Sequence, residues 1–450
     1  MLQGKTLQFL QLVLVVAPAF ILFGYNQSNI GGLLSIRDWA LTFPDIDTVT
    51  TDGEEKEPKH TIQGVVVATF TLGALLGALS CFWAGDHFGR RKTIFIAAAL
   101  TLIGEVLECC SFQLPQLVVG RTILGFGVGS LSAITPVWQA ETATSSNRGR
   151  SVVLGGMFIA LGYLLQAWIN LGFFQIKTGS LSWRLPIALP GLVSIILMGT
   201  VWLFPESPRW LVAKGRASEA RHNLAIMMGV SDENEGMVTA ELSAIEMSLE
   251  DSSANGTKLS DLFTMGEDKL LYRFMLCITL QFFQQMTGGH LISVYSTIIF
   301  QDGLGLDSQT SRILSGGTLT WKFLSCFVAF FTIDRIGRRL VFMVSGTGMT
   351  LCMMGLAIAT SFPSSNESAS IASVFFVFAF NFFIPIGFLG ANFLYCTEVA
   401  PTHLRVKMAS ISTANHWLWY VDCSKTGFNV NQLTTQQELR CHDGHSGCNQ

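Results

Sequence analysis

The sequence predicts an all-α membrane protein of two helical bundles, the second incomplete, with about ten full spans and a partial eleventh. Three observations lead there. Of the 450 residues, 50% are hydrophobic and only 13% charged, with a mean hydropathy of +0.45, whereas an ordinary soluble protein carries about 25% charge. The apolar residues come in runs near the roughly 20 that a helix needs to cross a hydrocarbon core. Polar punctuation repeats between the two parts of the chain: GDHFGRR at Gly85 to Arg91 returns as DRIGRR at Asp334 to Arg339.

In chain order the runs are Phe9 to Gly31, Gly64 to Ala84, Thr93 to Phe112, Leu117 to Val137, Val152 to Phe174, Leu185 to Phe204, Leu271 to Phe300, Ile313 to Ile333, Val341 to Phe362 and Ile371 to Cys396. Another opens near Met408 and stops near Val421, about 13 apolar residues and too few to cross. The first run is too long for a signal-peptide core and no small-residue cleavage site follows it, so it reads as a retained span. Lys and Arg gather after spans two, four, six, eight and ten, which places the N-terminus in the cytoplasm by the positive-inside rule. The sequon Asn366-Glu367-Ser368 then falls outside, where it can be glycosylated. The polar stretch after Phe204 separates the bundles. The expected division is 1–204, an N-terminal six-span bundle; 205–270, a cytoplasmic linker; 271–421, the incomplete second bundle; and 422–450, an atypical polar tail.

Composition also excludes classes of function. A formal net charge of −3 has no basic bias that would call for nucleic acid. Most cysteines sit inside apolar runs and suggest no disulfide framework. Within the spans there is no nucleophile–base pair, phosphate loop or ligand cluster, so neither an enzyme nor a cofactor is expected. The tail contains CHDGHSGC, Cys441 to Cys448, whose compact spacing without a surrounding fold reads as coincidence rather than a zinc site.

Eight elements in order carry a resemblance over nearly the whole chain up to about Trp419: FGYNQSNIGG, GDHFGRR, GRTILGFGVG, the Glu141 to Arg150 element, PESPRWL, QQMTGG, DRIGRR and EVAPTHLR. Together they resemble the signature set of the sugar porter family, in its fungal branch, within the major facilitator superfamily. The resemblance implies the major facilitator fold, a lipid-embedded carrier at the plasma membrane, and a small-molecule sugar as partner. Such carriers have twelve spans, and against that pattern the C-terminal end looks cut short. The tail reads as a translated intron, a frameshift or an alternative exon.

Two groups of residues are then expected to do the work. Arginines at helix ends facing carboxylates can latch an inner gate and release it as bundles rock: Asp86, Arg90, Arg91, Glu141, Arg150, Glu206 and Arg209 in one half, Asp334, Arg338, Arg339, Glu398 and Arg405 in the other. Polar side chains at mid-membrane form the second group. Gln284 and Gln285 suit sugar hydroxyls, and the resemblance implies that they bind substrate. His290 stands where the family usually has Asn, with Tyr295 following; His416 stands where Asn or Gln is usual, beside Trp417; Phe393 replaces a frequent Trp; and Gly156 replaces a frequent Gln. Phe23, Phe393 and Trp417 can pack on the apolar face of a sugar ring. Asn26 occupies the position where proton-coupled members carry Asp paired with the equivalent of Arg121. Asn cannot titrate, which favours facilitated diffusion with Arg121 hydrogen-bonded to a neutral amide. Proton symport stays open through Glu105, an intramembrane carboxylate. Further alternatives are a transport-inactive truncated isoform and a nutrient sensor on the same fold.

Overall fold

Backbone groups in hydrocarbon must bond within their own segment, and helix is the only regular structure among the described residues. The computed structural model describes residues 3–420 apart from 52–55, 143–147, 177–178, 231–235, 255–268, 363–365, 391, 393–394, 397–398 and 402–403. The first helices are α1 (Gly4–Leu33), α2 (Lys56–Phe88), α3 (Arg90–Cys109), α4 (Leu114–Thr142), α5 (Arg148–Phe174) and α6 (Leu181–Leu203). Three shorter ones follow: α7 (Pro208–Ala213), α8 (Ala217–Met228) and α9 (Gly236–Ala254). Then come α10 (Leu270–Met286), α11 (Gly289–Val294), α12 (Ser308–Ile336), α13 (Arg338–Thr360), α14 (Glu367–Leu389) and α15 over residues 405–420. Among the described residues, eight helices are long and apolar enough to cross a membrane.

Helices in lipid gain no hydrophobic drive from touching each other, so their packing depends on close backbone approach. The seam between α2 and α4 is built that way on both sides. A Cβ on Gly73 or Gly77 would stand 2.2 or 2.0 Å from the carbonyl oxygens of Thr122 or Phe126, and one on Gly125 or Gly129 would meet those of Phe70 or Ala74 at 2.0 or 2.1 Å. Each helix thus presents two glycines four residues apart to the other. Gly24 lies as tightly against Ile159 of α5, and Gly31 against Val294 of α11, at 2.1 and 2.3 Å from their carbonyl oxygens. The Gly31 contact joins α1 to the later helices.

Two predicted spans differ from the observed helices. The run from Leu271 to Phe300 is not one helix: α10 ends at Met286, Gly288 turns at φ +73°, and α11 restarts at Gly289. A left-handed residue cannot continue a right-handed helix, and Gly288 adopts that conformation without a Cβ penalty. The run from Ile371 to Cys396 starts earlier, at Glu367, where the Asn366 side chain accepts from the Ala369 N–H, and closes in a π turn at Pro385–Leu389. The polar stretch after Phe204 contains an apolar core of its own among its described residues. Leu211, Ala220, Leu224, Val238, Leu242 and Ile245 form a small core among α7, α8 and α9, and Ser207 caps α7 by accepting from the Trp210 N–H.

Replacing Gly77 with Leu would drive a side chain into the Phe126 backbone. We expect a loss of about 1–3 kcal/mol or more, read as a lower melting temperature of the purified protein in detergent, whereas Gly172→Leu, which meets nothing within 4 Å at its Cβ, leaves it unchanged.

Candidate functional site

A polar cluster closes around the break between α10 and α11. Gln281, Gln284 and Gln285 occupy one face of α10 because residues three and four apart share a side. Asn392 donates to Gln281 Oε1 at 2.7 Å and also to Gln284 Oε1. Gln285 Nε2 donates to the His416 carbonyl at 3.0 Å. His416 Nδ1 lies 3.1 Å from Gln281 Oε1, a contact that requires the proton on Nδ1. From the opposite side, the Tyr163 hydroxyl donates to Gln27 Oε1 at 2.6 Å and lies 3.2 Å from His290 Nδ1. The His290 and His416 rings meet edge to face at 5.3 Å, so the two histidines link the α1–α5 side to the α10–α15 side. Gln281, Gln285, His416, Trp417 and Tyr163 are each no more than 1% exposed.

Aromatic rings pack below this cluster. Phe23 sits 5.2 Å from Trp417 and edge-on to His416, Phe70 lies on the other side of Trp417, and the Trp417 indole N–H donates to Ser132 Oγ at 3.3 Å. Gly156 faces Gly390, where a Cβ would come within 2.6 Å of the Gly390 Cα. A glutamine there would not fit this arrangement, which gives the departure at Gly156 a steric reason.

The Asn26 group is arranged differently from expectation. Asn26 Nδ2 donates to Glu105 Oε1 at 3.0 Å, and Ser194 Oγ donates to Glu105 Oε2 at 3.0 Å. The expected bond between Asn26 and Arg121 gives way to another pairing. Arg121 Nε donates to the Val66 carbonyl at 3.2 Å, its guanidinium lies over the Phe70 ring, and its counter-charge is Glu108, 3.9 Å away. Glu108 follows Glu105 by three residues on the same face of α3, and that second carboxylate draws the arginine away from Asn26.

The charges at the ends of α2 to α6 assemble into a compact arginine–carboxylate cluster. Arg90 holds Glu141 by two parallel bonds, 2.8 and 3.1 Å, and also donates to the Gly85 carbonyl and to Asp86. Glu206 caps α3, accepting from the Arg90, Arg91 and Ser207 N–H groups at 2.9–3.1 Å, where the helix dipole favours an anion. Burial pushes the Glu206 carboxyl above the ordinary range, while the Ser207 and Arg91 N–H groups pull it back. Gly89 makes the capping possible: it turns at φ +91°, and a Cβ there would stand 2.7 Å from Glu206 Oε2. Arg91 donates to the Phe204 carbonyl, Arg209 lines a cavity of about 260 Å³ with Asp86, Arg90 and Glu141, and buried Arg405 from α15 acts electrostatically on Glu141.

The sequence matches the family model described as "Sugar (and other) transporter" over residues 12–426. The chain belongs to that family. Sugar transporter STL1 of Saccharomyces cerevisiae is 30% identical over 421 residues, 93% of this chain and 73% of the relative. MFS-type transporter oryC of Aspergillus oryzae is 33% identical over 418 residues, 92% of this chain and 74% of that protein. In three dimensions the chain is similar to the proton:xylose symporter XylE of E. coli, solved with 6-bromo-6-deoxy-D-glucose, with a TM-score of 0.82 at 22% identity over 98% of this chain and 91% of that one. That likeness shows the fold, and the family match together with the eight long apolar helices makes this an integral, multi-pass membrane protein.

In this sugar-transporter-family chain, most of the expected residues converge. Gln284, Gln285, His290, His416, Phe23 and Trp417 share the central cluster, and Tyr295 is buried one turn after His290. In the second repeat Gly337 reproduces the turn of Gly89 at φ +85°, yet Arg339 is exposed where Arg91 is half-buried. Phe393, Glu398 and the tail from 422 lie outside the described residues, as do the side chains of Arg150, Asp334 and Arg338. Gln27, Tyr163, Gln281, Asn392, Glu108, Arg312 and Lys322 were not anticipated. Each is a polar or charged residue inside or at the end of an apolar span, which was the available signal.

Changing Glu141 to Gln removes the buried, two-bond partner of Arg90 and leaves it with the half-exposed Asp86. The expected cost is about 3–5 kcal/mol, read as a lowered melting temperature, and the double change with Arg90→Met recovers part of it.

Proposed function

We propose that this chain moves a monosaccharide of hexose type across the plasma membrane by alternating access and facilitated diffusion. The observation that carries the proposal is the closed cluster of amides and histidines over the aromatic floor of Phe23 and Trp417. Amides offer donors and acceptors to hydroxyl groups, and rings offer an apolar face. The cluster lies where α1 and α5 meet α10 and α15, so rocking one group of helices against the other opens it to one side at a time. In this reading the substrate contacts are Gln284, Gln285, His290, Tyr295, Phe23, Phe393, His416 and Trp417. The arginine–carboxylate latch, together with Asp334, Arg338, Arg339, Glu398 and Arg405, governs the cytoplasmic side.

The same reading takes ten full spans and a partial eleventh, counting α3 and the broken α10–α11 segment with the eight, divided at 204, 270 and 421. It keeps the N-terminus cytoplasmic and leaves exposed Asn366 outside for glycosylation. The names of the relatives support sugar as the cargo. Facilitated diffusion rests on Asn26, which cannot exchange a proton. Proton symport is the second reading, favoured by the two carboxylates Glu105 and Glu108 beside Arg121.

Expression in yeast cells lacking their own hexose carriers tests both. Labelled glucose uptake is expected to saturate, to keep its initial rate with a protonophore, and to fall by about tenfold in Gln285→Ala, where a hydrogen bond is lost. Collapse of uptake with the protonophore would replace facilitated diffusion with symport, and no uptake of any labelled sugar would remove the transport reading.

Changing Asn26 to Asp sets a second carboxylate beside Glu105, and two adjacent like charges cannot both ionise cheaply. That variant is expected to acquire protonophore-sensitive uptake.

A further inference from the structure

One buried charge plays no part in the reading above. Lys322 is the fifteenth of the 29 residues of α12 and is 1% exposed. Its Nζ donates to Ser293 Oγ at 2.8 Å and lies 4.6 Å from the centre of the Tyr163 ring. No carboxylate lies in ion-pair contact with it among the described residues, whereas Arg90 has two, Glu141 and Asp86, and Arg121 has Glu108. A lysine at the centre of a membrane helix costs about 2.5–3.5 kcal/mol on insertion scales, and burying an uncompensated charge costs more than burying a paired one. A structural tie to one serine would be made as well by glutamine.

Its position supplies the rest of the argument. Tyr163 bridges Lys322 to the sugar cluster, because its hydroxyl reaches both Gln27 and His290. Ser293, one turn after His290, faces Lys322 on one side and on the other lines a small cavity of about 20 Å³ with Ser28, Gln166, Asn170, Arg312 and Ser315. That volume holds about one water, so a larger guest enters only as the helices part. The lining contains hydroxyls, amides and a guanidinium, and no acid. Arg312 is 4% exposed, donates to the Gly32 carbonyl and to Ser35 Oγ, and has no hydrogen-bond partner on Nε among the described residues. Ten residues separate it from Lys322, about 15 Å along the helix, so the two cations do not share one ligand; Ser293, which accepts from Lys322, lines the cavity that Arg312 also lines.

We propose that Lys322 is a carboxylate-recognising residue of this carrier and that its cargo includes sugar acids, monosaccharides bearing a single carboxylate. The proposal rests on the sugar-transport reading. A neutral hexose needs amides and rings alone; a buried ammonium beside the same cluster adds a partner that only an anionic sugar uses. The carboxylate would replace Ser293 as the acceptor on Nζ, with the ring hydroxyls on Gln27, His290 and the α10 amides.

The test uses the full chain in the same yeast cells, with labelled D-glucose and D-glucuronate, and direct binding of both to the purified protein in lipid nanodiscs. Glucuronate is expected to bind and to compete with glucose. In Lys322→Gln the ratio of glucuronate to glucose affinity falls roughly tenfold or more, the loss expected for a bond to a charged group, and in Lys322→Arg the ratio is largely retained. Melting curves confirm that each variant is folded, and Lys322→Met serves as a second neutral variant. Glucose binding without glucuronate binding, or an unchanged ratio in both neutral variants, overturns this inference and leaves the transport of neutral sugars standing. Glucuronate binding without glucose binding does the reverse. Binding of neither by the folded protein removes both.

Discussion

A polar side chain inside hydrocarbon must find its partner in the protein, and that requirement organises this molecule. The apolar spans leave few hydrogen-bonding groups, and those few collect where helices from the two ends of the chain meet. Gln281, Gln284 and Gln285 have no use on the lipid face of α10, so the helix turns them inward onto Asn392 and His416. His416 brings α15 with it, and Trp417 follows onto Phe23, Phe70 and Ser132. The central polar cluster and the packing of the last described helix are therefore one arrangement. The break at Gly288 belongs to it too, since a continuous helix would carry His290 to a different angular position relative to Gln285.

The charged ends follow a related logic with a different outcome in each repeat. Gly89 and Gly337 share a left-handed turn, so the motif dictates the same backbone twice. In the first copy Glu206 comes back from the start of the linker to cap α3, and Arg91 seats against Phe204. In the second, Arg339 is exposed. A motif fixes local geometry; its neighbours decide whether its charges are buried. The core of Leu211, Leu224 and Val238 holds α7 near Glu206, which ties the charge cluster of Arg90 and Glu141 to a region outside the spans.

Much of this was legible in the sequence. Run length exposed most spans, the paired motifs exposed the repeat, and intramembrane polarity picked out Gln284, Gln285, His290 and His416. Partners were harder to read. Spacing along a helix tells which residues share a face but not which neighbour that face meets, and so the bond from Arg121 was assigned to Asn26, whereas Arg121 faces Glu108 and Asn26 bonds to Glu105. Helix continuity across Gly288 failed for a similar reason: an apolar run of adequate length is compatible with a break, and only the double glycine hinted at one. Lys322 was visible as a charge inside a span, yet its meaning depends on Tyr163 and Ser293, residues 159 and 29 positions away in the chain.

The Asn26 group bears on how a gradient could be coupled to movement. A proton shifts a conformational equilibrium only if it binds the two conformations with different affinity. Glu105 bonds to Asn26 of α1 and Ser194 of α6, and Glu108 faces Arg121 of α4. These partners all belong to the first six spans. The contacts between those spans and the later helices include instead Gly31 on Val294, Arg312 on Gly32 and Ser35, and Trp168 on Thr320. Protonating Glu105 would rearrange bonds within one group of helices without breaking any of these. Asn26, neutral in both conformations, adds no charge that the rocking could expose or bury. The physical case for proton coupling through this cluster is therefore weaker than the presence of two intramembrane glutamates would suggest, and in the reading proposed above a substrate that bridges both sides of the central cluster supplies the free energy that moves the helices.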